Sequence, residues 1–584
     1  MTKPRAVRIT GRISIEPAST SIAFLALLAI AFGYLLWEGR GNSFFYDDWS
    51  WIEFRRSGLH PILAPYNQHL LPVPIALYQG LMRVVGLGHY WVYRALELMV
   101  HLSCVTAVFV FARRRIGSAA LLLALPMLVL GSGWEYVLEP VSFGFVASIA
   151  LSIGALLALD RGHRGGEPAA CGLLLLALAC SEFALVFALG IAIELTWRER
   201  GLSHAWVWGA PLALYAAWRL SYHQAQTTGH ELTAMTKFAA DLAASAAGGL
   251  FGLGIEPGRL VLLAVIVIVG WRGVRRSALS PRLVGLLVTV LAFWVLVAFG
   301  RAQLGQPWAS RYVYTGLVLI NLILAESLRG VRLAPTAFGA AAVVALLALA
   351  GNIRALDSGE RYLRPAAITV PAELGALELA RAAAPAGLVL DPHYAPQVIA
   401  APYFAAIDAL HSSPADPPAR LARQREQIRA TADLVLERAG ELRITRAPPA
   451  SESASKAPPS KTLPSKALPF KALPPRLEAA LAGSSTPYRS CMTFRPQPGS
   501  RGSLELLVPS SGIAVKASAG GAIGVRARRL AAGFGPGLIA TAPGAQTMLI
   551  KPVADSLALR WNVQISTTQL VRACMLSALV PFPR

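Results

Sequence analysis

Charge is what this sequence has least of. Only 15% of its 584 residues are Asp, Glu, Lys or Arg, and 55% are hydrophobic. A soluble globular chain carries about 25% charged residues. With a mean hydropathy of +0.51, an ordinary soluble domain is excluded. Acidic groups are scarcer still, 32 against 54 Lys and Arg, for a net charge of +22. That excess does not point to nucleic acid, because the basic residues sit in short clusters between apolar runs. Arg113–Arg115, Arg161 with Arg164, Arg198 with Arg200, Arg272 with Arg275 and Arg276, and Arg329 with Arg332 form these clusters. Cysteine is also sparse: Cys104, Cys171 and Cys180 lie in apolar runs as small hydrophobes, and Cys491 and Cys574 lie far downstream.

What the chain has instead is long apolar runs, concentrated in residues 21–353. A run of about 18 or more such residues is satisfied as a helix in lipid, where each backbone group bonds internally. Residues 1–20 carry Lys3, Arg5, Arg8 and Arg12. They read as a cytoplasmic N-terminus before an uncleaved first helix at 21–37, since no small-residue cleavage site follows. A long outer loop spans 38–89. Further crossings are expected at 90–112, 119–130, 141–159, twice within 168–197 with an outer turn at Ser181 and Glu182, and at 206–220, 260–271, 283–300, 312–328 and 335–353. That makes about eleven transmembrane helices, with the arginine clusters on the cytoplasmic side. Residues 221–256 are expected as an outer loop, and everything after Asn352 as extracytoplasmic.

The remainder reads as three parts. Residues 354–444 are expected to form an α/β region, with a strand at 388–390 and a helix near 418–439. Residues 445–475 are a Pro/Lys-rich linker of low complexity, where proline density favours an extended polyproline spacer. Residues 476–584 alternate β-branched residues with glycine and proline, as at 503–508 and 557–565, and are expected to form a small β-sandwich. Cys491 and Cys574 share this oxidising compartment and are expected to pair as a disulfide.

The chemistry-bearing residues cluster at the outer face. Asp47 and Asp48 follow the first helix by about ten residues within Phe44-Phe45-Tyr46-Asp47-Asp48-Trp49, and Asn67 and His69 come later in the same loop. A carboxylate at the membrane surface can deprotonate an acceptor hydroxyl, and its neighbour can orient it or hold a divalent cation. No metal is assigned on this basis. The alternative is an acidic turn after a helix. Arg94, Glu97 and His101 share one face of the second helix; they either line a substrate cavity or form an internal packing pair. Arg301, Gln303, Gln306, Arg311, Tyr312 and Tyr314 open the tenth helix. Arginine there suits a phosphate, or else snorkels to the interface.

A helix, a long outer loop with an early acidic pair, and many further helices together resemble the GT-C superfamily of membrane glycosyltransferases. That group includes protein mannosyltransferases, aminoarabinose transferases and mycobacterial arabinosyltransferases. The resemblance covers about residues 20–353, and its specific part is Tyr46-Asp47-Asp48-Trp49. It implies a polytopic α-helical, GT-C-like membrane protein, to which the residue pattern adds the C-terminal extracytoplasmic α/β region and β-sandwich. The catalytic residues it implies are Asp47 and Asp48; His69, Asn67, Arg94, Glu97, His101, Arg301, Arg311 and Tyr312, read from the residues themselves, are the substrate-binding candidates. The donor would be a polyprenyl-phosphate sugar and the acceptor a glycan or glycolipid of a bacterial envelope, at the outer face of the cytoplasmic membrane. Two other functions keep the same helices. A flippase for lipid-linked glycans would carry its ionisable groups at mid-membrane, and a non-catalytic assembly protein would use the acidic pair as a turn.

Overall fold

The computed structural model describes residues 17–54, 59–161, 165–222, 232–276, 279–446, 488–497, 501–518, 522–535, 540–542, 547–553 and 560–576. Two compact units divide the chain, residues Met1–Ala367 and Ile368–Arg584.

The first unit is helical. Its elements are α1 (Pro17–Glu38), α2 (Asp47–Phe54), α3 (Leu59–Leu63), α4 (Pro72–Val85), α5 (Tyr90–Ile116), α6 (Ala120–Met127), α7 (Glu135–Leu138) and α8 (Phe143–Leu159). There follow α9 (Gly166–Cys180), α10 (Phe183–Glu199), α11 (Trp206–Ser221), α12 (Leu232–Gly249), α13 (Ile255–Arg276), α14 (Pro281–Arg301), α15 (Ser310–Ser327) and α16 (Pro335–Leu379). Six helices among the described residues are long and apolar enough to cross a membrane: those within Ser19–Gly41, Tyr90–Met127, Pro140–Leu159, Ile255–Arg275, Pro281–Leu304 and Pro335–Leu379. The chain is therefore a multi-pass membrane protein. The other expected crossings correspond to shorter or less apolar helices. Among them α9 and α10 span about 23 and 26 Å at 1.5 Å per residue, and the chain reverses between them at Ser181 and Glu182.

Helix α5 is the centre of this unit. Leu98, Val105 and Val108 belong to the buried cluster that also takes in Ile149 and Ile153 of α8 and Leu317 and Leu322 of α15. It ends after Arg113–Arg115, where the Gly117 N–H bonds to the Arg113 carbonyl and Gly117 takes a left-handed φ of 61°. Glycine adopts that conformation without steric cost.

Three expectations are corrected here. The segment expected as one long loop at 38–89 contains three helices, α2, α3 and α4. Residues 221–256 are not simply a loop either, since α12 occupies Leu232–Gly249 and its second half is buried. Its Ala-Gly run lets backbones touch: a Cβ on Gly258 would lie 2.0 Å from the Ala244 carbonyl oxygen. Small residues are what permit such close helix pairs in lipid, and they barely register as hydropathy. Finally, the last helix does not stop at Ile353; α16 runs 45 residues to Leu379, about 68 Å and more than twice a bilayer core of about 30 Å.

The second unit continues with β1 (Val389–Asp391), β2 (Ala395–Ile399), α17 (Ala400–Leu410), α18 (Pro418–Leu421), α19 (Glu426–Arg438) and β3 (Leu442–Arg446). Then come β4 (Tyr488–Phe494), β5 (Gly502–Leu507), β6 (Ile513–Ala517), β7 (Ile523–Arg528), β8 (Ala540–Ala542), β9 (Thr547–Pro552), β10 (Asn562–Thr567) and β11 (Val571–Leu576). Among the described residues β1 and β2 pair as a two-stranded antiparallel sheet, and the other strands form two larger antiparallel sheets, ordered β5-β10-β7-β8 and β3-β9-β6-β11-β4. Alternate residues of β5 and β10 are buried, as period-2 patterning requires. The expected boundary at 444/445 shifts, because Thr445 and Arg446 lie in β3 and pair with β9. The rest of the expected linker, 447–475, lies outside the described residues, as does most of the N-terminal 1–20. Cys491 and Cys574 are cross-strand partners on β4 and β11 and are joined as a disulfide. Helix α19 is fastened to the sheets by carboxylates: Asp433 accepts the backbone N–H groups of Arg529, Leu530 and Ala531, and Glu426 those of Ala532 and Gly533.

Candidate active site

A cavity of about 370 Å³ opens in the first unit where α2, the α3–α4 connection, the α7 segment, the α9–α10 turn and the facing ends of α14 and α15 meet. Asp47 enters it from the first turn of α2, and the Tyr66 hydroxyl, held protonated by burial and then by that carboxylate, hydrogen-bonds to it.

Asp48 turns the other way. It is fully buried. Its Oδ1 accepts the Tyr78 hydroxyl at 2.6 Å and its Oδ2 accepts the Phe45 N–H at 2.9 Å. The second bond is the return half of a helix-capping arrangement, a side chain reaching back to satisfy an orphan N–H at the helix start. Burial raises its pKa to about 7 against the pull of those two donors. With both oxygens occupied, Asp48 is a structural residue here and is not free to hold a cation.

The loop after α3 folds into a two-residue hairpin. Tyr66 and His69 exchange backbone hydrogen bonds of 3.1 and 2.7 Å, and Asn67 and Gln68 between them sit at φ 47° and 74°. Glutamine in that region costs about 1 kcal/mol or more, strain of a kind that gathers at functional sites. The hairpin presents His69 to the cavity, with Nδ1 against the Glu182 carboxylate and its ring edge-on to Phe145. His69 Nε2 lies 3.3 Å from Arg301 Nη2, which also reaches the Asn67 carbonyl at 3.4 Å.

The opposite wall is built from α7 and α15. Glu135 Oε2 accepts from the Ser310 hydroxyl and the Arg311 N–H, each at 2.8 Å, and Oε1 meets Arg311 Nη1 at 2.8 Å. A carboxylate at a helix N-terminus is well placed, and this one also neutralises Arg311. Glu139 lines the cavity too. Burial, then Glu135, Asp48 and Asp47, push its carboxyl well above the usual range. Trp51, Tyr66, Tyr136, Tyr215 and Tyr312 give the cavity flat apolar faces.

In its overall structure the chain is similar to ArnT. The crystal structure of ArnT from Cupriavidus metallidurans bound to undecaprenyl phosphate matches with a TM-score of 0.42 and 14% identity, covering 70% of this chain and 88% of that one. The apo structure of the same ArnT matches with a TM-score of 0.41 and 13% identity, covering 73% and 92%. No protein-family model matches the chain, and no curated protein matches its sequence.

Seven of the residues singled out from sequence thus line one cavity: Asp47, Asn67, His69, Arg301, Gln303, Arg311 and Tyr312. Arg94, Glu97 and His101 do not. They are fully buried in the helix core, with Arg94 paired to Glu97 and bonded to the carbonyls of Val137 and Leu35. His101 lies between the Tyr314 hydroxyl at 3.0 Å and the Leu128 carbonyl at 3.3 Å. Each finds its partner inside the protein, so the packing alternative describes them. Sequence reasoning missed Glu135, Glu139, Glu182, Tyr66 and Arg219 as lining residues. Their signal was the rarity of acids: Glu135, Glu139 and Glu182 are three of only 32 and fall between apolar runs. Among the described residues no group of three or more His, Cys, Asp or Glu side chains is arranged to hold a metal ion.

Proposed function

We propose that the chain is a membrane glycosyltransferase that moves a sugar from a polyprenyl-phosphate donor to a glycan or glycolipid of the cell envelope. The observation that carries this reading is the cavity, which sets the carboxylate of Asp47 and the guanidinium of Arg301 on a multi-pass helical unit. Arginine offers a planar fork of donors matched to phosphate. A carboxylate can take the proton of an acceptor hydroxyl as the donor's C1–O bond breaks and the phosphate leaves. The new C–O bond then forms at C1, the hydroxyl proton ends on Asp47, and the bonding pair departs with the lipid phosphate. Tyrosine and tryptophan faces suit a sugar ring. The flippase alternative lacks support, since the mid-helix groups Arg94, Glu97 and His101 are paired with one another or with neighbouring groups inside the protein.

In this reading the cavity faces outward from a bacterial cytoplasmic membrane, and residues 354–584 lie on the same outer side. Reporter fusions after Arg114 and Ser485 then report opposite sides; a shared side reverses the orientation. The activity itself is tested in membranes of cells lacking or expressing the chain, supplied with radiolabelled polyprenyl-phosphate sugars. Label reaching an envelope glycan or lipid only when the chain is present supports the proposal, and equal labelling in both membranes removes it.

A further inference from the structure

We infer that Glu182 and His69 form a positioning pair that aims the Arg301 guanidinium at an anionic phosphate entering the cavity. The inference rests on the proposed function and deepens it. It begins with an inequality between two arginines in one cavity. Arg311 spends its charge on Glu135. Arg301 has no carboxylate partner among the described residues; its Nη2 is met by a ring nitrogen and a carbonyl oxygen.

The chemistry of those partners fixes the direction of each bond. An ionised carboxylate only accepts, so the Glu182 contact puts the His69 proton on Nδ1. The bond made by one ring nitrogen sets the state of the other, and Nε2 is left as a bare lone pair that accepts from Arg301. The order is therefore carboxylate, imidazole, guanidinium, each donating to the one before it. Glu182 is nearly fully buried in the turn between α9 and α10, and His69 is held by the reciprocal backbone bonds of its hairpin. Both members of the positioning pair are thus held in place. A carboxylate placed directly on Arg301 would fix it equally well and neutralise it. The interposed imidazole fixes it while leaving its positive charge and remaining N–H groups for the cavity.

A terminal phosphate monoester on a lipid is the chemistry that such a held guanidinium recognises. The probe is undecaprenyl phosphate, with undecaprenol as the uncharged control, each titrated against the purified full-length protein. Arg301→Ala should weaken undecaprenyl phosphate binding by about tenfold or more, the range expected of a charge-assisted hydrogen bond. His69→Ala should shift it in the same direction. Glu182→Gln should follow, because an amide N–H facing Nδ1 moves the imidazole proton to Nε2, where it points at Arg301. His69→Gln can offer an oxygen near the place of Nε2 and should recover much of the lost affinity. Undecaprenol binding and thermal stability should change little across the set. A purely structural role would lower both ligands alike and leave His69→Gln as impaired as His69→Ala. Loss of binding in Arg301→Ala, with His69→Ala and Glu182→Gln unchanged, would overturn the positioning role while sparing the polyprenyl-phosphate reading. Unchanged binding in Arg301→Ala would overturn it as well. A wild-type protein that does not prefer undecaprenyl phosphate to undecaprenol would take down that reading, and the inference with it.

Discussion

Helix α14 carries an arginine near each end, and the two live in different surroundings. Arg282, in its first turn, is buried against Glu194 at 2.6 Å and Asp160 at 3.2 Å, and donates to the Leu156 carbonyl. Asp160 also holds Arg115, which in turn pairs with Glu326. At that end, four or more helices are tied together and the buried charges are matched. Nineteen residues further on, about 28 Å along the helix, Arg301 meets the His69 ring and the Asn67 carbonyl and has no carboxylate partner among the described residues. One end has its charges consumed by its own fold, and the other keeps a charge in reserve beside a cavity. Charge alone therefore does not mark a site in this protein; charge left unmatched does.

The comparison predicts opposite kinds of damage at the two ends. The largest effect expected is from Asp160→Asn, which takes a shared carboxylate from two buried arginines and leaves each with one acid, Glu326 for Arg115 and Glu194 for Arg282. Breaking a buried pair from one side costs about 3–5 kcal/mol; with Glu194 and Glu326 still in place the loss should stay below that range, and the melting temperature in detergent should drop measurably. A wild-type melting curve for this variant would dissolve the contrast. At the cavity end, Asp47→Asn should slow transfer by roughly 10²-fold or more through loss of the general base, at normal expression and melting temperature. Transfer at the wild-type rate in a deletion strain would return Asp47 to the status of a turn residue and favour the assembly-protein reading.

Smaller effects sharpen the boundary between the two kinds of residue. Arg311 is already matched by Glu135, so Arg311→Ala should weaken undecaprenyl phosphate binding less than Arg301→Ala does; the reverse order would mean that Glu135 yields its partner to substrate. The least effect concerns Asp48 in the outer loop. Its folded pKa of about 7 stands above its ordinary value of 3.8. The native state therefore keeps a proton that the unfolded chain loses between about pH 4 and 7, and stability falls as pH rises through that window. Comparing melting at pH 5 and pH 8 in the wild type and Asp48→Asn should show a shallower pH dependence in the variant, and identical slopes would count against the raised value.

Much of this was legible before any coordinates. Apolar runs of bilayer length are a one-dimensional property, so α1, α5, α13 and α14 could be located from hydropathy, as could the break between α9 and α10 at Ser181 and Glu182. The period-2 alternation in 503–508 likewise announced β5. Helix α12 was not legible as a span, because Ala and Gly pack well while contributing little hydrophobicity. Nor was the far end of α16, since Pro365 and Pro371 read as breakers and yet lie within the helix. Within the site, Asp47 and Asp48 are chemically identical neighbours on the sequence.

By itself, then, the sequence determined that the chain lives in a membrane, how its helices alternate with loops, and that ionisable groups collect at one face. Only the tertiary structure decided which of those groups are free to act. A helix turns successive side chains about 100° apart, so Asp47 meets the cavity while Asp48 meets Tyr78. Partners 113 and 232 residues away from His69, Glu182 and Arg301, settle what that imidazole can do. Matching of charge is a matter of distance in space, and no spacing along the chain encodes it.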